Sequence, residues 1–414
     1  MSPRRSIALV CDYSLDYMGG AQSAFLDEAM LLRERGHRVV LVVPFVRPGI
    51  VPVGPWREEW LARGGDIVPV PAATTLPGIG LPVIRNSAGL RRRLGAELAV
   101  RGVDVVHVHS EFGLTAAVVS AARRAGIGTV QTVHTFFWRA PIWRPLEGLA
   151  ARVVGGFVRW LRAFPTPRQP LAPQALESAL RNMTLSMAVR VDAVISPSAH
   201  QAERLEAAGL SGVRIVPNAV AAADGSPPAL TSVSAPLRIV WVGRLAPEKR
   251  LREWIDAVAT ASALLPPGAL DVEVIGEGPA RSEAEARARE TTAPIRFTGR
   301  LSRGEVQERM RAAHLVALTS FGFDNQPVTI VEALHARRGV LYVDPSLTEG
   351  VDVAGLRAET PDVAGMADLL VRLARDPAPV VAASSRAEEG ARAFDPDVHV
   401  ERLLAVYEAV SAGR

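Results

Sequence analysis

The sequence predicts an α/β protein made of two parallel-sheet units in tandem. Short β-branched runs alternate with helical stretches along the chain, the signature of parallel α/β layers. The alternation stops at an Ala/Ser/Pro-rich segment over 221–236 and then restarts, which marks that segment as a linker. A chain of 414 residues is long enough to give each unit its own core.

In the first unit, strands are expected at 7–12, 38–44, 67–70, 103–107, 128–133, 193–196 and 213–216. Helices are expected there at 21–35, 88–101, 114–125 and 200–208. In the second unit, strands are expected at 237–242, 271–275, 295–297, 315–319 and 339–343, with helices between them and others near 363–375 and 398–410. The domain reading is therefore 1–220, a linker at 221–236, 237–393, and a final helix within 394–414. In open parallel sheets ligands sit beyond the carboxyl ends of the strands, so chemistry is sought in the loops that follow them.

Composition excludes several classes. Cys11 is the only cysteine, which rules out a disulfide framework and a cysteine zinc site. It ends an apolar run and reads as a small packing residue. No apolar stretch is long enough for a signal peptide or a membrane span, so a cytoplasmic location is expected. The net charge of +4 allows an anionic substrate or membrane surface. Aromatic residues are few and basic residues scattered, so nucleic acid is not expected as a partner.

One segment breaks the α/β rhythm. Residues 138–168 carry six arginines against the single acid Glu147, and hold Trp138, Trp143 and Trp160. At helical spacing Val153, Phe157, Trp160, Leu161 and Phe164 fall on one arc, with Arg152, Arg159 and Arg162 opposite. Such a helix either lies on an anionic membrane or packs on its own domain with a solvated basic face.

The basic residues are arginines with one exception, Lys249. It lies in the loop Val242-Gly243-Arg244-Leu245-Ala246-Pro247-Glu248-Lys249, after a strand-like run. A lysine binds phosphate as a compact point charge, where arginine offers a flat fork. Arg244 and Lys249 together could grip a diphosphate. Gly19-Gly20, just before a helix, let backbone amides approach an anion. Asp324-Asn325-Gln326-Pro327 lead into a helix that carries Glu332. Pro327 suits its first turn, and Glu332 among apolar residues needs polar partners such as ribose hydroxyls. His134 ends one strand, and His107 and His109 share one face of another. The aspartate and cysteine partners that would close a metal site are not evident nearby, so a metal ranks low.

These motifs fall in an order and spacing that resembles the retaining nucleotide-sugar glycosyltransferases of family 4. The resemblance spans nearly the whole chain. It rests on Gly19-Gly20-Ala21-Gln22, His107-Val108-His109, Thr132-Val133-His134-Thr135, Ser196-Pro197-Ser198, Val216-Pro217-Asn218-Ala219-Val220, the Gly243-to-Lys249 loop, Gly276-Glu277-Gly278-Pro279, Phe297-Thr298-Gly299 and the run from Asp324 to Glu332. It implies the GT-B fold, an α/β architecture of two Rossmann-like parallel-sheet domains facing each other across a cleft, with the last helix crossing back onto the first domain.

The resemblance also implies roles. Arg244 and Lys249 would hold the donor diphosphate with Gly19 and Gly20 opposite. Gly276 and Gly278 would lie near the base, and Glu332 at the ribose. Asp324, Asn325, Gln326 and Pro327 would touch sugar and phosphate. His134 would face the reacting sugar, with Asp16, His109 and Glu111 also on the acceptor side. His134, Asp324, Arg244 and Lys249 form the expected catalytic set. The co-substrate would be a UDP- or GDP-sugar, with no bound cofactor and no metal required. The acceptor would be a hydroxyl, a lipid or cell-envelope glycan being one class, reached by peripheral contact with an anionic membrane. Asp324 stands where the family usually has glutamate, Asn218-Ala219 where it has Asn-Gly, and Arg337-Arg338-Gly339 where it has Gly-x-Pro.

Competing readings are a nucleotide-sugar epimerase of the same architecture and a membrane-associated nucleotide-sugar-binding protein of weak activity. A dehydrogenase fits poorly, because Arg281 follows Gly276-Glu277-Gly278-Pro279-Ala280 where the dinucleotide fingerprint wants Gly or Ala. A glycosidase would use two carboxylates but has no need of a cationic clamp.

Overall fold

The structure is a computed structural model that describes residues 4–15, 20–45, 56–72, 74–76, 80–136, 144–219, 227–291 and 293–412. It divides into two compact units, Met1–Ala219 with Pro396–Arg414, and Val220–Asp395.

The first unit opens with β1 (Ser6–Val10), α1 (Gly20–Glu34), β2 (Arg38–Phe45), α2 (Trp56–Ala62), β3 (Asp66–Pro71) and a small hairpin, β4 (Thr75–Leu76) with β5 (Leu81–Pro82). It continues through α3 (Ala88–Val100), β6 (Val105–Val108), α4 (Gly113–Arg124), β7 (Gly128–Thr132), α5 (Glu147–Arg162), α6 (Ala175–Ala188), β8 (Ala193–Ser196), α7 (Ala199–Ala207) and β9 (Arg214–Ile215). Seven strands form one sheet in the order β3-β2-β1-β6-β7-β8-β9. Its strand pairs are parallel. Strand alternation sorts the side chains. Ala8, Val10, Val106 and Val108 enter the core shared with Leu94, Leu98, Leu114 and Val118 of α3 and α4.

The second unit runs β10 (Leu237–Val242), α8 (Leu251–Ala263), β11 (Leu270–Ile275), α9 (Arg281–Thr291), β12 (Ile295–Gly299), α10 (Arg303–Ala312) and β13 (Leu315–Leu318). It ends with α11 (Val328–His335), β14 (Gly339–Tyr342), α12 (Val351–Ala354), β15 (Gly355–Arg357), α13 (Val363–Arg375) and α14 (Ala378–Ala391). Its six-stranded sheet has the order β12-β11-β10-β13-β14-β15. Leu237, Ile239 and Trp241 face the core of α8 and α13, while Val240 faces that of α11. The last helix, α15 (Pro396–Ala412), belongs to the first unit. It lies so close on β7 that a Cβ at Gly128 would stand 2.9 Å from Val410 Cγ2.

Three differences from the sequence reading have physical causes. The helix α6 was not expected, because its polar Asn182, Thr184 and Ser186 mask a helical pattern. All three are in fact buried and hydrogen-bonded. The arc assigned to α5 is rotated: Val158, Leu161 and Arg162 are buried, while Val153 and Trp160 are 63% and 47% exposed. Arg162, expected on a solvated face, donates instead to the carbonyls of Glu111 and Met183 and to the hydroxyls of Thr166 and Ser186. Third, the family departure at Arg337-Arg338-Gly339 is structural. Arg338 is buried and donates to the carbonyls of Arg311, Ala313 and Ala336, satisfying helix ends that would otherwise lack donors. Trp138 and Trp143 lie outside the described residues.

His314 precedes β13 and is 3% exposed. Burial, reinforced by Arg238 and Arg338, pushes its pKa down to about 4. The unfolded chain takes up that proton near pH 6.5. Stability of the second unit is therefore present above that pH and lost as pH falls toward 4. Acid unfolding of the His314→Asn variant, followed by circular dichroism, should show a flatter slope across this window.

Candidate active site

Two loops of the second unit meet because β10 and β13 are parallel neighbours and both end at one edge of the sheet. Lys249 Nζ, from the loop after β10, donates to Asp324 Oδ1 at 2.6 Å from the loop after β13. The two side chains are 21% and 10% exposed. Thr319 ties the loops a second time, its hydroxyl donating to the Lys249 carbonyl at 2.6 Å and accepting from Trp241 Nε1 at 3.0 Å. The Asp324 Oδ2 atom is buried and makes no hydrogen bond. A carboxylate so placed has an acceptor left for a ligand hydroxyl. Arg244 is half exposed and pairs with Glu248, four residues on in the same loop.

Gly276 and Gly278 are shaped by the chain itself. A Cβ at Gly276 would lie 1.9 Å from the Gly243 carbonyl oxygen, and one at Gly278 2.2 Å from that of Leu245. Gly276 also has φ 139°, which side chains rarely adopt. Their absent side chains let this loop lie against the Arg244 loop, joined by Leu245 N to Glu277 O at 2.9 Å and Ala280 N to Leu245 O at 3.0 Å.

Asn325 is buried, Gln326 partly so, and Pro327 is the N-cap of α11. Glu332 sits partly buried within that helix. Asp344 was not singled out in the sequence. It is 3% exposed and accepts from Gly322 N at 2.6 Å and Ser346 N at 2.9 Å, fixing the start of the Asp324 loop. Its one sequence signal is a place just past a strand end, before a turn.

In the first unit Gly20 opens α1, whereas Asp16 and Gly19 lie outside the described residues. His134 follows β7, and its Nε2 lies 2.9 Å from His109 Nδ1 with the rings stacked. Enclosure of its ring, with His109 beside it, pushes the His134 pKa down to about 3, so the imidazole is neutral at physiological pH. His109 itself turns inward, 3.3 Å from the buried Glu28. Glu111 accepts from Thr184 Oγ1 at 3.0 Å within the core, and burial pushes it up to about 7. Both were read as acceptor-side groups, and both spend their described contacts on the interior. Asp12, at the end of β1, was read only as strand. It accepts from the amides of Phe112, Leu114 and Thr115, and so caps α4.

The sequence matches two family patterns, Glycosyltransferase Family 4 over residues 18–224 and Glycosyl transferases group 1 over residues 236–376. The chain belongs to glycosyltransferase family 4. It is a glycosyltransferase with the GT-B architecture of two Rossmann-like parallel-sheet domains. It is 24% identical over 411 residues to the phosphatidyl-myo-inositol mannosyltransferase of Mycolicibacterium smegmatis, covering 98% of this chain and 94% of that one. The Mycobacterium tuberculosis protein of that name is 23% identical over 415 residues, covering 98% and 97%. Among solved structures, Anabaena HepE in complex with UDP superposes with a TM-score of 0.68 at 16% identity, covering 98% of this chain and 100% of that one. Sucrose-phosphate synthase from Thermosynechococcus elongatus gives 0.66 at 16% identity, covering 99% and 100%.

Replacing Lys249 by Ala should lower sugar-transfer turnover by about 100-fold or more, the scale of losing one preorganised charge partner at a reacting centre. The far-ultraviolet circular dichroism should stay native. Lys249→Arg should not restore the rate, because the fork does not reproduce a point charge. Parental turnover in the alanine variant would remove Lys249 from the site.

Proposed function

We propose that this glycosyltransferase transfers a hexose from a UDP- or GDP-sugar to a hydroxyl of a membrane-borne lipid acceptor, with retention at the anomeric carbon. The donor reading rests on Lys249, a single ammonium held at Asp324 while the second Asp324 oxygen, though buried, makes no hydrogen bond. The ammonium keeps further hydrogens for phosphate oxygens, and Oδ2 accepts a sugar hydroxyl. Bond cleavage leaves negative charge on the diphosphate. A cation about 4 Å away contributes a Coulomb term of about 4 kcal/mol at an effective dielectric near 20. The departing phosphate oxygen takes the acceptor proton on the face it leaves, which needs no covalent adduct with the protein.

The acceptor reading draws on α5. Leu146, Leu149, Val153 and Trp160 are 45%, 59%, 63% and 47% exposed. They recur at helical spacing along one side, and the neighbouring Arg152 and Arg159 are exposed. Apolar residues edged by arginine suit a bilayer that carries anionic lipid. Beside Trp160 a cavity of about 420 Å³ is walled by Val70, Val83, Ile84 and Leu90, with Arg85 and Arg93 at hand for a phosphate. The mycobacterial relatives are named for mannose transfer to a phosphatidylinositol, an acceptor of this class. Among the described residues no helix is long and apolar enough to cross a membrane, so α5 would hold the protein at the surface.

Lys249 supplies the only side-chain amine, which gives a direct test. An amine-directed reagent, read by peptide mass spectrometry, should modify Lys249 several-fold more slowly with saturating UDP or GDP. Equal labelling with every nucleotide diphosphate overturns the donor site.

The membrane arm is separate. Leu149→Glu with Trp160→Glu should abolish flotation with vesicles containing phosphatidylglycerol or phosphatidylinositol and leave nucleotide protection of Lys249 intact. Unchanged flotation rejects α5 as the docking face.

A further inference from the structure

The turn that carries Lys249 ends on a strained residue. Pro247–Lys249 form a 3-10 turn, and Arg250 follows it with φ 55° and ψ 38°, in the left-handed region. A Cβ makes that region costly, and glycine is the residue that takes it without strain. Strain of this kind persists only where surrounding contacts over-determine it, and it gathers at functional sites.

Arg250 is fixed through both its backbone and its side chain. Its N–H donates to the Pro247 carbonyl at 3.0 Å and closes the turn, and its carbonyl accepts from Trp254 N at 3.1 Å and opens α8. Guanidinium Nη2 donates to the Pro361 carbonyl at 2.5 Å, between β15 and α13. Nε lies 3.4 Å from Glu253 Oε1, and the guanidinium carbon lies over the Phe321 ring, 6.0 Å from its centroid. Phe321 belongs to the loop that carries Asp324. The strands β10, β13, β14 and β15 are parallel neighbours, so the loops after β10, β13 and β15 leave the same edge of the sheet and meet at this one side chain. The side chain is 19% exposed, yet Nη1 is buried and makes no hydrogen bond. A permanent cation with one donor left unpaired is not what folding stability alone would select.

The consequences of this anchoring fall on Lys249. Its N–H is held by the Ala246 carbonyl at 3.0 Å, and its carbonyl by the Thr319 hydroxyl at 2.6 Å. With the Arg250 N–H bound as well, both peptide groups that flank the Lys249 Cα are pinned, which sets the direction in which its side chain leaves the backbone. We propose that Arg250 is a positioning residue for sugar transfer. By anchoring the loop after β10 to the loops after β13 and β15, it aims the Lys249 ammonium at the charge that develops on the donor diphosphate. This role rests on the donor reading of Lys249, acts through that residue, and needs no contact between Arg250 and the donor.

A double-mutant cycle separates positioning from general support of the fold. Arg250→Gly removes the side chain and leaves a residue suited to the left-handed backbone. With native far-ultraviolet circular dichroism, its kcat should fall about 10-fold or more, the scale of a small misplacement at a reacting centre. In the Lys249→Ala background the same change should cost less than about 2-fold, because the group being aimed is gone. Without nucleotide, an amine-directed reagent should modify Lys249 several-fold faster in Arg250→Gly than in the parent, as the ammonium leaves Asp324 more readily. Arg250→Asn also tolerates this backbone and should reproduce both results, which keeps the test open if the glycine variant unfolds. An equal loss of kcat in both backgrounds makes Arg250 a structural residue and overturns the proposal. Parental kcat with parental labelling in a folded variant overturns it too. Parental turnover in Lys249→Ala alone overturns the donor reading, and this role with it, so the two failures are read from different variants.

Discussion

Parallel pairing of β10 with β13 is the constraint on which the proposed donor-side residues depend. Parallel neighbours begin at the same edge of the sheet and therefore finish at the same opposite edge. That geometry brings the loop after residue 242 beside the loop after residue 318, although the crossover between them passes through two further strands. The Lys249–Asp324 pair and the Thr319 hydroxyl hold the loops together. The pair is partly open to solvent, and such pairs add little to folding. Its value is positional. An arginine here would present two parallel donors and engage both Asp324 oxygens. A lysine engages one and leaves Oδ2 available, which accounts physically for the single exception in a chain that otherwise writes its cations as arginine.

The strands of both sheets were legible because burial on both faces leaves nearly continuous apolar runs in parallel sheets, as at Leu237–Val242 and Ala193–Ser196. The short β15 was not, because Gly355-Leu356-Arg357 has no such run. Phosphate-type residues could be picked out by charge and position. What the sequence could not convey was pairing between distant segments. Nothing near Lys249 announces that its partner is Asp324. The same holds for Glu28, which reads as an ordinary surface residue of a helix until β6 and α15 are folded around it. A glutamate four positions after Ala24 in an amphipathic helix is unremarkable in one dimension. In three it is a carboxylate enclosed by the fold.

Glycines divide along the same line. Gly19-Gly20 drew attention as an anion-binding pair, yet Gly20 has open space around its Cα. Gly276 and Gly278 were read for their nearness to a base. Their clear physical duty is to admit the backbone of Gly243 and Leu245. That contact seats the Arg244 loop, so in the proposed donor site the glycines would act on phosphate binding through backbone placement. Substituting either would disturb Arg244 and Lys249 together without touching a charge.

The outward apolar row of α5 follows from a cation that went inward. Turning the helix by about one residue, 100°, would bury Trp160 or Val153 and release Arg162 to water. Burial of apolar area alone would favour that rotation, since a fully buried aliphatic side chain contributes about 1.5–3 kcal/mol. The observed setting prevails because Arg162 meets carbonyls of Glu111 and Met183 and hydroxyls of Thr166 and Ser186. Glu111 adds a favourable charge nearby, and burial still pushes the guanidinium down to about 10, leaving it a cation at neutral pH. Rotating the helix would orphan those acceptors inside the core, at about 1–3 kcal/mol each. The fold thus locks α5 in the register that shows solvent its Leu149, Val153 and Trp160. A locked apolar face costs solubility in water, so the outward row is the consequence of Arg162 finding its acceptors inside.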